Sequence, residues 1–169
     1  MTPMVCAIKL AEFLQEKFNG IDYRATDERL NGKQMNVYAG FLPRTISERD
    51  KTQQDPCTVI RPVKINDSKD ESTVELQLLV CTYNRDKDCG HMELYHALEL
   101  IRQWLWQNPI IGGMFRLEGN TETGIPEEQG FPEWIGWMKV KYNIGKPGIN
   151  VDQIIRLYGA TKQPGNMST

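Results

Sequence analysis

The stretch from Ser72 to Trp106 constrains the chain most. Residues 72–83, STVELQLLVCTY, place Val74, Leu76, Leu78 and Val80 at alternate positions with Glu75 and Gln77 between them. Period-two alternation with β-branched residues predicts a strand with one buried face. A charged turn, 84–90, closes on Gly90. From His91 to Trp106 the period changes: Leu94, Ala97, Leu98, Ile101, Trp104 and Leu105 fall on one stripe of a helix, which Pro109 ends. A strand and a helix that each have one apolar face bury both by stacking, so a helix lying on a sheet is the expected core.

The remaining elements are read around that unit. Thr2-Pro3 is a helix start, a hydroxyl cap followed by proline in the first turn. The helix is expected to reach Phe18, with Met4, Ile8, Ala11 and Leu14 as its apolar side, flanked by Val5, Ala7 and Phe18, and Asn19-Gly20 as its stop. Met35, Val37, Ala39 and Phe41 alternate as a strand up to Pro43. Residues 44–56 are charged and read as a solvated loop. Cys57–Asn66 is the next strand. Pro62 within it cannot donate to a ladder, which predicts an edge strand or a bulge. With a turn over 66–72, residues 57–83 read as a β-hairpin. Gly112-Gly113 reads as a flexible joint, Met114–Leu117 as a short strand and 118–133 as a long acidic surface loop. Trp134–Asn143 is the last clear strand. Asn150 is placed to cap a short helix, Val151–Tyr158, and 160–169 holds no core-forming residues. The expected fold is therefore α+β. It has a mainly antiparallel sheet of about four to five strands, two main helices on one face, a short C-terminal helix and a flexible tail. Residues 1–145 form a single domain and 146–169 an extension.

Composition narrows the function classes. At 169 residues the chain is long enough to bury roughly 70% of its unfolded surface without staples. The net charge of −2 and the lack of a basic block give no specific nucleic-acid site. No run of about 18 apolar residues offers a membrane span, and no secretory leader is expected. Cys6, Cys57, Cys81 and Cys89 then read as free thiols of a reducing compartment.

The same chain holds few residues of chemical promise. Cys81, Cys89, His91 and His96 are zinc-ligand types, but their spacing fits no common zinc pattern, and His91 and His96 share no helix face. Cys89 and His91 lack the oxyanion-stabilising groups that a thiol nucleophile needs. No phosphate-binding glycine loop, dinucleotide fingerprint or nucleophile elbow is present. Glu118, Glu122, Glu127, Glu128 and Glu133 are too spread for a calcium loop. Accordingly no catalytic residue, cofactor or metal is expected.

The tryptophans carry more information. Trp106 and Leu100 lie off the stripe of the second helix. On the last strand Ile135, Trp137, Lys139 and Lys141 share the face opposite Trp134, Met138, Val140 and Tyr142. If the two long strands are antiparallel neighbours, Glu75 and Gln77 lie beside Lys139 and Lys141, and such cross-strand pairs set register at roughly 0.2–1 kcal/mol each. Leu100, Trp106, Ile135, Trp137, Lys139 and Lys141 are the candidate contact residues of an oligomer or partner interface.

In element order the chain resembles the tail terminator proteins of long-tailed bacteriophages. The resemblance rests on the helix Pro3–Phe18, the strand pair Cys57–Asn66 and Ser72–Tyr83, the helix His91–Trp106 and the strand Trp134–Asn143. It spans roughly residues 3–144 and includes no diagnostic motif. It implies a non-enzymatic virion assembly protein: a homo-oligomeric, hexameric ring on the end of the tail tube. Such a ring contacts the tail tube protein and presents a surface to the head-completion or connector protein. Its place would be the tail–neck region of the virion, after synthesis in the bacterial host cytoplasm. Other neck or head-completion proteins share this outline. Two readings from other classes stand beside it: a cytoplasmic ligand-binding module using loops 44–56 and 118–133, and a zinc or thiol enzyme using Cys81, Cys89, His91 and His96.

Overall fold

The computed structural model describes residues 3–42 and 54–146. In chain order these form α1 (Pro3–Asn19), a 3₁₀ turn (Glu28–Leu30), β1 (Asn36–Ala39), β2 (Cys57–Asp67), β3 (Ser72–Tyr83), α2 (His91–Gln107), β4 (Ile110–Ile111), β5 (Phe115–Gly124) and β6 (Glu133–Asn143). The five segments behind the family resemblance appear with every boundary within one residue of its expected place.

The sheet differs from the expected one. It has six strands in the order β1-β2-β3-β6-β5-β4 rather than four or five, is mixed because one of its pairs, β1 with β2, is parallel while the others are antiparallel, and curls into a half-barrel. Two physical reasons account for the difference. β1 pairs parallel with β2, from Asn36 opposite Cys57 to Ala39 opposite Ile60. Residues 40–56 between them are a long connection, and a parallel pair needs a crossover of about a dozen residues or more rather than a tight turn. Secondly, β6 has two flanks to satisfy. β3 takes one, and the expected short strand Met114–Leu117 runs on into the expected 118–133 loop to supply the other as β5, with Ile110-Ile111 added as β4. β5 is hard to read because it is mostly exposed and because residues between Glu118 and Glu122 bulge out of register.

The curl is visible in what α1 touches. It meets β1 and β2 at one end of the strand order and β4 at the other, which a flat sheet could not allow. The Lys9 stem lies 3.3 Å from the position a Cβ on Gly112 would occupy. α2 lies over the central pair, β3 and β6. The helices meet through Phe18 and Trp104, whose rings pack edge to face at 4.8 Å, a contact worth about 0.5–1.5 kcal/mol beyond burial.

The buried face of α2 consists of Leu94, Ala97, Leu98, Ile101, Trp104 and Leu105, the stripe read from the sequence. Val74, Leu76, Leu78 and Val80 are buried on β3 and Met138, Val140 and Tyr142 on β6. The face of α1 is rotated from expectation. Cys6, Ala7, Leu10, Ala11, Leu14 and Phe18 are buried, while Met4 and Ile8 remain 37% and 40% exposed. Pro62 sits at a bulge and beyond the end of β1: β1 pairs with β2 only from Cys57 to Ile60, and the register of β2 with β3 shifts between Pro62 and Lys64.

Glutamine side chains complete two stretches of backbone. Asn36 donates its N–H to the Pro56 carbonyl on the β2 side. On the outer side the Gln15 Oε1 accepts the Val37 N–H at 2.8 Å, and its Nε2 donates to the Met35 carbonyl at 3.0 Å. Beyond the end of β5, Gln129 does the same for β6, accepting from the Ile135 N–H at 2.6 Å and donating to the Ile135 carbonyl at 3.0 Å. Residues 43–53, which cover most of the expected 44–56 loop, and 147–169, with the expected helix Val151–Tyr158, lie outside the described residues.

Candidate functional site

The antiparallel pairing of β3 with β6 places Leu79 opposite Trp137, Cys81 opposite Ile135, Gln77 opposite Lys139 and Glu75 opposite Lys141. Opposed residues share a face, so these side chains lie on the side of the sheet away from the helices. β2 adds Val59 and Arg61, and β1 adds Tyr38 opposite Val59. β5 brings Glu118 opposite Lys141 and Glu122 opposite Lys139. The result is an apolar strip, Tyr38, Val59, Leu79, Trp137 and Ile135, running across four strands beside a band of alternating charge. The Lys139 ammonium sits 5.5 Å from the centre of the Trp137 ring, and that ring lies over Gly124, where a Cβ would collide with it. Ile135, Trp137, Lys139 and Lys141 are all partly exposed.

A second surface lies on the opposite side, along α2. Tyr95, Glu99, Arg102 and Trp106 follow one another at helical spacing, so they line one flank of the helix. Tyr95, Leu98, Glu99 and Arg102 face Thr123, Gly124 and Ile125 across a cleft of about 460 Å³. Trp106, one turn further on, is 52% exposed, and its indole N–H donates to the Thr121 hydroxyl at 3.3 Å. Arg102 and Glu99 form a two-pronged pair with both contacts at 2.8 Å, and Gln103 adds a third donor at 2.9 Å. These bonds hold the Glu99 carboxyl down at about 2. Leu100 is half-buried against the core. The candidate residues thus divide: Trp106 belongs to the α2 flank, Ile135, Trp137, Lys139 and Lys141 to the outer sheet face, and Leu100 to the packing beneath. The cleft is not legible in the sequence, because one wall is β5.

A third, polar cleft of about 370 Å³ lies where the 22–26 segment meets α2. Glu93 ties its walls together. It accepts from the Thr26 N–H at 3.0 Å and from the Asn84 amide at 3.3 Å. Tyr23 is buried between Phe18 and His96, stacked on the imidazole at 5.8 Å. Burial, then the Glu93 charge, raises its phenol above the ordinary range.

The four residues of the zinc and thiol-enzyme reading do not come together at one place. Cys89 and His96 line this polar cleft, but His91 lies against Tyr95 and Trp134, and Cys81 lies on the outer face of β3, opposite Cys57. Among the described residues, no three His, Cys, Asp or Glu side chains are grouped to hold a metal ion. No described helix is long and apolar enough to cross a membrane. The sequence matches no protein-family model and no curated protein.

Proposed function

We propose that the protein is a non-enzymatic assembly component of a phage virion, a tail terminator whose copies form a ring that caps the tail tube and presents the head-joining surface. The observation that carries this reading is the pair of unlike surfaces on opposite sides of one small sheet. A ring closes through heterologous contacts, in which one patch of a subunit meets a different patch of the next. The α2 flank with Tyr95 and Trp106 and the outer sheet face with Trp137, Lys139 and Lys141 are two such patches. The order helix, hairpin, helix, returning strand supports the family resemblance. The parallel β1 and the added β4 and β5 go beyond it.

The test is native mass spectrometry over a range of protein concentrations, with and without the tail tube protein. A discrete closed oligomer, a hexamer above all, is the expected result. Trp106→Ala and Trp137→Ala should each weaken assembly while leaving the circular dichroism spectrum intact. A strict monomer under all conditions would remove the ring reading. It would favour the ligand-binding module, for which the polar cleft at Tyr23 and Glu93 is the feature to probe.

A further inference from the structure

Cys57 and Cys81 are 24 positions apart in sequence and directly opposed in the β2–β3 pair. Opposed residues of an antiparallel pair have Cα atoms about 4.5 or about 5.5 Å apart, depending on their place in the ladder. Both separations fall inside the range of about 4.4–6.8 Å that a disulfide spans. The two side chains share the outer face, and both thiols are free. They also interact directly: the Cys81 thiol is the largest influence pushing the Cys57 thiol upward, ahead of burial and of Asp55. Cys57 is 1% exposed and donates its S–H to the Asp55 carboxylate at 3.8 Å, whereas Cys81 is partly open.

The bulge in β2 creates this pairing. From the turn outward the register runs Asp67–Ser72, Asn66–Thr73, Ile65–Val74, Lys64–Glu75. Continued without a break, it would set Cys57 opposite Thr82, on the helix side of the sheet. The extra residue between Pro62 and Lys64 shifts the strand by one, bringing the thiol to the outer face and against Cys81.

We propose that Cys57 and Cys81 form a dithiol site that low-molecular-weight disulfides of the glutathione type convert to a cross-strand disulfide in the folded protein. The steps balance. The Cys81 thiolate, the more accessible sulfur, attacks the oxidant and expels one glutathione thiolate, leaving a mixed disulfide on Cys81. Cys57 passes its proton to the Asp55 carboxylate or to solvent, attacks the Cys81 sulfur and expels the second glutathione. Two protein thiols become one disulfide, and one glutathione disulfide becomes two thiols. For a virion component the pair would stay reduced during synthesis and close after release into an oxidising medium. That setting rests on the proposed function, whereas the exchange chemistry does not.

The experiment treats the native protein with oxidised glutathione, quenches with an alkylating reagent and maps the peptides by mass spectrometry, on wild type and on Cys89→Ser to remove the exposed thiol. The expected result is a Cys57–Cys81 linked peptide, loss of two hydrogens from the intact mass and loss of both sites to alkylation, without denaturant. Cys57→Ser should instead trap a stable glutathione adduct on Cys81. The proposal is overturned by a lasting adduct on wild-type Cys81 with Cys57 still alkylated, by linkage only after urea is added, or by pairing of either thiol with Cys89. None of these outcomes depends on ring formation, so the assembly reading stands or falls separately.

Discussion

Gly136 sets how closely α2 lies on the sheet. It is on the helix-facing side of β6, between Trp134 and Met138, and a Cβ there would stand 2.8 Å from Leu98 Cδ1 and 3.4 Å from Leu94 Cδ1. Carbon atoms pack best at about 3.5–4.0 Å, so the added methyl needs nearly an ångström that neither partner can yield. Leu98 is 4% exposed and Leu94 fully buried, leaving no open direction for either side chain. Gly136→Ala should therefore lift the helix or force an off-rotamer leucine, at a cost of about 1–3 kcal/mol. For a chain of this size that lowers the thermal midpoint by about 2–12 °C. Urea unfolding followed by circular dichroism, on the single variant, on Leu98→Ala and on the double variant, isolates the cause. Leu98→Ala alone leaves a cavity costing about 2–5 kcal/mol. In the double variant the new methyl fills part of that cavity, so the combined cost should fall below the sum of the two by about 0.5–3 kcal/mol. Additive costs, or a neutral Gly136→Ala, would refute the claim that this glycine admits the helix.

Three further outcomes are expected. Gln15→Ala should remove both bonds that close the outer side of β1, costing about 1 kcal/mol and speeding hydrogen exchange at the Val37 amide; unchanged exchange there would sink the argument. The Glu99 carboxyl should titrate at about 2 and move up towards its ordinary 4.5 in Arg102→Ala, as read by NMR. A carboxylate held low in the folded state stabilises above its unfolded value and loses that effect as pH falls towards its folded one, and the exposure of the pair keeps the contribution small. Glu93→Ala should loosen the 22–26 segment from α2, seen as faster exchange at the Thr26 amide with little change in the global unfolding free energy.

Legibility followed how strongly one face of an element is buried. β3, β6 and α2 carry clean apolar periods because each buries one face and leaves the other open, so their boundaries and core faces are legible directly. In α1 the expected Ala7, Ala11, Leu14 and Phe18 are buried, but the face is rotated so that Cys6 and Leu10 take the place of Met4 and Ile8; all are apolar, and only the packing distinguishes them. Only the start of β5, within the expected strand Met114–Leu117, is legible; Glu118, Glu122 and Thr123 are polar and join the strand because β6 offers them an unpaired flank, while the residues between Glu118 and Glu122 bulge out of the pairing. β1 is legible as a strand from the alternation of Met35, Val37 and Ala39, but its parallel direction is not, since pairing direction depends on the route of the connecting chain and not on strand composition. The contact residues on β6 could be read from its period, whereas the cleft beside Trp106 could not, because one wall is β5. Pro62 did signal the bulge, yet the meeting of Cys57 with Cys81 needs the exact register, which a proline alone does not supply.

Gln15 and Gln129 carry a further consequence. A side-chain amide has one donor and one acceptor at nearly the spacing of a peptide group, so it imitates a neighbouring strand of a single residue and then stops. Where it sits, another chain cannot extend the ladder, and main-chain pairing is indifferent to which chain that is. Gln15 closes the outer side of β1, and Gln129 closes β6 beyond β5. Association at these places is thereby left to side chains, which can tell one partner from another. Strand-by-strand growth is blocked at these two places.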